Sequence, residues 1–228
     1  MPLEDEIRKF VKRNPFTVLH ISLADLERSC LKYEKGDWDS AYRIATTLVH
    51  EGWSDPPRLP KIVDGLNVLL RVWNQQYYGP SGFDEPRLEE WLRSNWNEID
   101  SFHRREISSF GASDQEAIER TFTELLDLLQ RTSGAKKRSP VSVGKALHLL
   151  APRFFPAWDS GIASDWKCPY LTRPSVAYIV FCHRMKEFAA PLKEALATDD
   201  SPRRAWLSKK TLLKRIDEYN YVNRKGRS

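Results

Sequence analysis

Apolar residues in this chain recur three and four positions apart, and no run alternates apolar with polar residues across a tight turn. The first spacing lines one face of a helix; alternation would line one face of a strand. The pattern therefore predicts an all-α fold. Its clearest stripe is Ala117, Ile118, Thr121, Phe122, Leu125, Leu126 and Leu129, on a helix over 115–130 that Asp114 can cap. A second, over 61–78, carries Ile62, Val63, Leu66, Leu69, Leu70 and Trp73 and stops at Gly79-Pro80, which reads as a central buried helix. Further helices are predicted over 2–13, from a Ser22 cap to 33, from an Asp37 cap to 51, over 87–110 as one or two pieces, over 141–151, over 175–196 with a kink at Pro191, and over 209–223.

At 228 residues the chain is long enough for one large helical domain, or one domain of two lobes, spanning 1–228. The hydrophobic fraction of 41% beside 29% charged residues is that of a globular protein. No apolar run is long enough to span a bilayer, so no membrane partner is expected. The acidic start Met1-Pro-Leu-Glu-Asp-Glu6 lacks a secretion signal's basic and apolar regions, and the expected location is cytoplasmic. Cys30, Cys168 and Cys182 are odd in number and far apart, which suits neither a disulfide framework nor a four-cysteine metal site. No cofactor is expected, and a monomer is the simplest state. Cys182-His183, inside an apolar helix, reads as core packing.

Charge is distributed unevenly. Between Asp127 and Asp159 there is no acid, while Arg131, Lys136, Lys137, Arg138, Lys145 and Arg153 are basic. A second basic cluster occupies 203–228, where Asp217 and Glu218 are the only acids. Two such clusters suit a phosphate backbone, and DNA is the expected partner. For the tail, a solvated surface that frays at its end is the alternative. Inside the first window, Pro140 opens a short helix ended by Pro152. Phe154, Phe155 and Trp158 then bury the turn that delivers Asp159, which can cap a new helix at Ser160.

The segment from Ser139 to Ala163 resembles the helix-hairpin-helix DNA glycosylase superfamily. In that resemblance Ser142-Val143-Gly144 stands for the hairpin, Lys145 for the catalytic lysine, and Phe155-Pro156-Ala157-Trp158-Asp159 for the segment ending in the catalytic aspartate. Two departures are visible: Ser142 replaces the hairpin's first glycine, and Lys145 comes one position early. The Lys-to-Asp interval is also about one helical turn shorter than the family's. The apolar helix ending in Asn74, Gln75, Gln76, Tyr77 and Tyr78 is similar to the one several such enzymes place beside the target base. The resemblance implies a two-lobed helical fold, DNA as substrate, and excision of a damaged or modified base. An iron–sulfur cluster, which some members carry, would need a fourth cysteine.

The residues themselves suit that chemistry. Breaking the bond between base and sugar puts positive charge on the sugar, which a carboxylate at Asp159 can stabilise while also activating water. Lys145 can instead attack the sugar as an amine if burial or cationic neighbours lower its pKa, or it can simply hold a phosphate. Main-chain amides at Ser142 and Gly144 can hold a phosphate, as can Lys136, Lys137 and Arg138. A flipped base needs an aromatic pocket and a wedge, for which Trp73, Tyr77 and Tyr78 are candidates. Asn74, Gln75 and Gln76 can read base edges. Trp158 is a packing anchor or a pocket wall, and His148 a core or capping histidine, with a catalytic role as the alternative. Two other readings stand beside this one: a DNA-binding module that has lost catalysis, and a metal nuclease, for which only scattered acid pairs such as Asp199-Asp200 are present.

Overall fold

The computed structural model describes residues 2–36, 39–133 and 138–225. Among these residues the chain forms thirteen α-helices and two short 3-10 turns, with no strand, as the helical spacing predicts. Helix α1 (Leu3–Arg13) leads to α2 (Leu23–Glu34), where Ser22 and Asp25 exchange side-chain and main-chain hydrogen bonds in a capping box. The expected cap Asp37 and its neighbour Trp38 lie outside the described residues. Helix α3 (Ser40–Gly52) follows Asp39, and lies along α4 (Leu59–Trp73). Helix α4 is the central element: Ile62, Leu66, Leu69 and Leu70 are fully buried, each contributing about 1.5–3 kcal/mol of apolar transfer free energy.

The helix expected to run to Tyr78 breaks at Asn74, and α5 (Gln75–Tyr78) is a separate turn. The Asn74 side chain explains the break. It is drawn inward to bond Ser142 and Lys145, and the backbone leaves helical geometry there, at φ −127° and ψ 36°. The stretch 87–110 is likewise two helices, α6 (Glu85–Ser94) and α7 (Trp96–His103), divided at Asn95, whose amide turns back to the Trp91 carbonyl. Asp114 precedes α8 (Gln115–Leu128) but does not cap it; its carboxylate is taken by two bonds from Arg105 and one from the Gly111 amide.

Helix α9 (Pro140–Leu150), capped by Ser139, is followed by a tight aromatic turn and by α10 (Ser160–Asp165). Helix α11 (Pro174–Thr198) is the longest and carries Pro191 inside it. Phe155, Trp158 and Phe181 close around Tyr178, with ring centroids 5.1–6.4 Å from it. Helix α12 (Pro202–Leu207) has no counterpart in the sequence reading. Helix α13 (Leu212–Lys225) returns to pack along α2. One contiguous apolar core runs from Val18 to Ile216. No helix among the described residues is long and apolar enough to cross a membrane.

Candidate active site

Helix α9 points its first turns at the end of α4. Ser142 and Lys145, three residues apart, share one face. The Lys145 Nζ donates to the Trp73 carbonyl at 2.7 Å and to Asn74 Oδ1 at 2.6 Å, and the Asn74 amide donates to Ser142 Oγ at 2.6 Å. The last carbonyls of a helix have no partner within it, so the lysine serves as an end cap for α4. Its acceptors are neutral, and only 9% of the residue is exposed. Burial pushes its pKa from the ordinary 10.5 down to about 8, against the opposing pull of the Asp159 and Asp217 carboxylates.

Asp159 caps α10, its Oδ1 accepting from the amides of Gly161 and Ile162 at 2.8 Å each. Arg224 of α13 donates to both its oxygens, at 3.0 and 3.1 Å. The guanidinium lies on Gly161 so closely that a Cβ there would sit 1.8 Å from Arg224 Cζ. The aspartate side chain keeps 28% of its surface. Trp158 fixes its approach. The indole is buried, donates from Nε1 to the Pro140 carbonyl at 3.2 Å, and packs where a Cβ on Gly144 would come within 2.4 Å of Trp158 Cδ1. A glycine in α9 thus lets the residue before Asp159 dock against the helix that carries Lys145.

A stack of rings forms the back of the site. Tyr42 lies nearly parallel to Trp73, at 5.5 Å and 11°, and to His148, at 5.7 Å and 25°. His148 Nε2 lies 3.1 Å from the Tyr42 hydroxyl and Nδ1 2.8 Å from the Phe155 carbonyl, an arrangement that places the proton on Nδ1. Burial lowers its pKa to about 4, with the charge of Lys214 adding, so the ring is neutral. Lys214 itself is fully buried, its Nζ 4.6–5.2 Å from the centroids of Tyr33, Tyr42 and Trp73. It pairs with Asp217 at 3.1 Å, Asp39 at 3.4 Å and Glu218 at 3.7 Å. Burial works against the charge, yet these partners raise its pKa well above the usual lysine value. Burial also raises the Asp217 carboxyl, against the pull of Lys214.

The sequence candidates divide accordingly. Lys145, Trp73, Asn74 and Ser142 come together, and Asp159 lies near enough to act on Lys145 electrostatically. Ser142 and Gly144 form no hairpin. Both are buried inside α9, and the Ser142 amide is already bonded by the Ser139 side chain, so neither presents an amide to a phosphate. Tyr78 is not a stacking platform: it is 1% exposed and donates to the Leu129 carbonyl at 2.9 Å. Tyr77 is half-buried beneath Arg131, and Gln75 and Gln76 are exposed. Trp158 is the packing anchor. Arg138 is exposed and paired with Asp127 at 2.8 Å, whereas Lys136 and Lys137 lie outside the described residues.

Sequence reasoning missed Tyr42, Lys214, Asp217 and Arg224. Three of these come from the tail that reads as a basic surface, yet Lys214 and Arg215 are almost wholly buried. The available signal was spacing: Lys214 and Arg215 stand three or four residues before Asp217 and Glu218, the interval of ion pairs on a helix. Tyr42 also lines a cleft of about 1090 Å³. Arg43, Arg153, Lys193 and Lys209 line it, and Lys145 and Asp159 do not. No family model matches the chain, and no characterised protein or solved structure is similar enough to count as a relative.

Proposed function

We propose that the chain excises a base from DNA, on a two-lobed, glycosylase-like helical fold without the hairpin that the sequence suggests at 142–144, and acting as a monomer. The arrangement that carries this reading is a buried amine, Lys145, held by two neutral acceptors at the end of α4, with the half-buried carboxylate of Asp159 close enough to act on its charge without bonding it. In the hydrolytic route the bond from sugar C1′ to the base nitrogen breaks and its electron pair leaves with the base. Asp159 stabilises the sugar cation, and water adds to C1′, its proton passing to Asp159 and then to the departed base. In the amine route neutral Lys145 adds to C1′, the base leaves with the electron pair and a proton, and the sugar ring opens to an imine on Nζ. With a pKa of about 8, about a tenth of the lysine is neutral at pH 7. Both routes require Arg224 to exchange Asp159 for a DNA phosphate, a ligand that also suits a guanidinium.

The test is incubation with duplexes carrying a panel of damaged and enzymatically modified bases, then alkali to cleave abasic sites. Base release supports the reading, and a borohydride-trapped adduct lost in Lys145→Met assigns the amine route. One observation favours a non-catalytic DNA-binding module instead: Asp159 is already engaged by two amides and Arg224. Duplex binding with no alkali-sensitive site on any substrate would select that module.

A further inference from the structure

The cleft beside Tyr42 is bounded by α3, by α11 and by the connection from α12 to α13. At about 1090 Å³ it has room for a small organic molecule, whose pockets usually measure about 300–1,000 Å³. Its charge is one-sided. Three carboxylates line it, and each is already shared by two cations. Glu34 is held by Arg215 and Lys210 at 3.0 and 3.5 Å, and Asp39 by Lys210 and Lys214 at 2.5 and 3.4 Å. Glu106 is held by Lys193 at 2.7 Å and by Arg153. Arg43 and Lys209, both exposed, line the same cleft and have no acid partner among the described residues. Lys186 lines it too, and its Nζ donates to a neutral group, the Phe110 carbonyl, at 2.6 Å. These three cations come from three different elements. Much of the remaining wall is apolar: Leu196, Trp206 and Leu212 are half-buried on the edge of the core, and buried Leu149, Leu207 and Leu213 line the cleft with them.

We propose that this cleft binds an amphiphilic anion, an alkyl chain that ends in a carboxylate or a phosphate. The chain covers the apolar surface of Leu196, Trp206 and Leu212, and the head group draws on Arg43 and Lys209. A guanidinium suits either head, since both offer it two oxygens. Because the acids of the cleft are already paired, none competes for these cations. The rings explain why an alkyl chain fits better than a nucleotide. Tyr42 stacks on Trp73, His103 stacks on Trp53 with centroids 3.8 Å apart, and Arg215 lies 4.0 Å over Trp206. A planar base gains most by stacking on a ring, and each of these rings already carries a partner. An alkyl chain needs only apolar surface, and each methylene it buries strengthens binding by up to about fourfold. Lys145 and Asp159 do not line the cleft, so the site is separate from the one proposed to act on DNA.

The experiment is calorimetric titration of the full chain with dodecanoate and with dodecyl phosphate, each kept below its micelle concentration. At least one should bind, and the tighter of the two identifies the head group as that of a fatty acid or of a lipid phosphate. Octanoate should bind more than tenfold more weakly than dodecanoate, and acetate and inorganic phosphate should give no heat. Arg43→Glu combined with Lys209→Glu should weaken binding of the dodecyl anion at least tenfold. Its thermal melt should stay close to the wild type's, because both side chains are exposed and unpaired. Dodecyl-anion binding that survives the double substitution unchanged would overturn the site, showing mere adsorption to apolar surface. Tighter binding of adenosine monophosphate than of either dodecyl anion would overturn it in favour of a nucleotide. Failure of both dodecyl anions to bind would also overturn it. If the double substitution then abolished duplex binding, Arg43 and Lys209 would belong to a nucleic-acid surface instead.

Discussion

Two buried lysines lie 5.8 and 5.2 Å from the Trp73 ring, and they meet opposite conditions. Lys214 is enclosed by three rings and three carboxylates, and its pKa is raised well above the ordinary value. Lys145 is held by a carbonyl and an amide oxygen, and its pKa falls to about 8. Burial opposes charge at both positions. What separates them is whether the partners carry negative charge of their own. One lysine is part of the framework and keeps its proton; the other is placed to give its proton up.

That contrast can be broken most directly at Lys214. Lys214→Met would leave the Asp217 carboxylate without its cation, while Lys210 still holds Asp39 and Glu218, and should cost about 3–5 kcal/mol in urea unfolding. Asp159→Asn should slow base release by about a thousandfold, or about 4 kcal/mol of barrier, in single-turnover assays. Its circular dichroism melt should shift little, since asparagine still caps α10. The same variant removes a charge that raises the Lys145 pKa, so any borohydride-trapped adduct should form at lower pH than in the wild type.

His148 touches the ring stack common to both lysines. Its folded pKa of about 4 lies below the ordinary 6.5, so the unfolded chain binds more protons between those values. Stability is then lost as pH falls from about 6.5 towards 4, by at most about 3 kcal/mol, and His148→Gln should flatten that part of the urea midpoint profile. Lys145→Met completes the comparison. It should abolish the adduct yet change stability by no more than about 2 kcal/mol, because it strands neutral acceptors and no carboxylate. It should also remove a gain in stability as pH rises from about 8 to 10.5, the window in which only the unfolded lysine stays protonated. The smallest effect is expected in the basic segment 136–138. Replacing Lys136, Lys137 and Arg138 together by Ala should weaken duplex binding and lower its salt slope by at most about 3, about 0.9 for each phosphate that is no longer neutralised.

The all-helical fold was legible because helices such as α4 and α8 bury their own stripes, and three- and four-residue spacing is a local property. Lys145 and Asp159 were legible because they share a segment of unusual charge. The rest of the site was not, since Tyr42 and Lys214 meet only when α3 and α13 come together from distant parts of the chain. A basic tail reads as surface when charges are counted. It reads as interior only when each base is paired with an acid one helical turn away. Gly144 suggests a backbone bend when read in sequence, whereas its part in the fold is to leave room for an indole.

The docking of Trp158 on Gly144 also sets a rule for evolution. With 2.4 Å between a would-be Cβ and the indole, position 144 cannot gain a side chain while position 158 keeps its tryptophan. The two sites should therefore change together, a glycine accompanying the large ring and an alanine or serine accompanying a smaller one. Paired substitution at 144 and 158, rather than identity along the intervening helix, is the hereditary mark by which distant descendants of this site can be recognised.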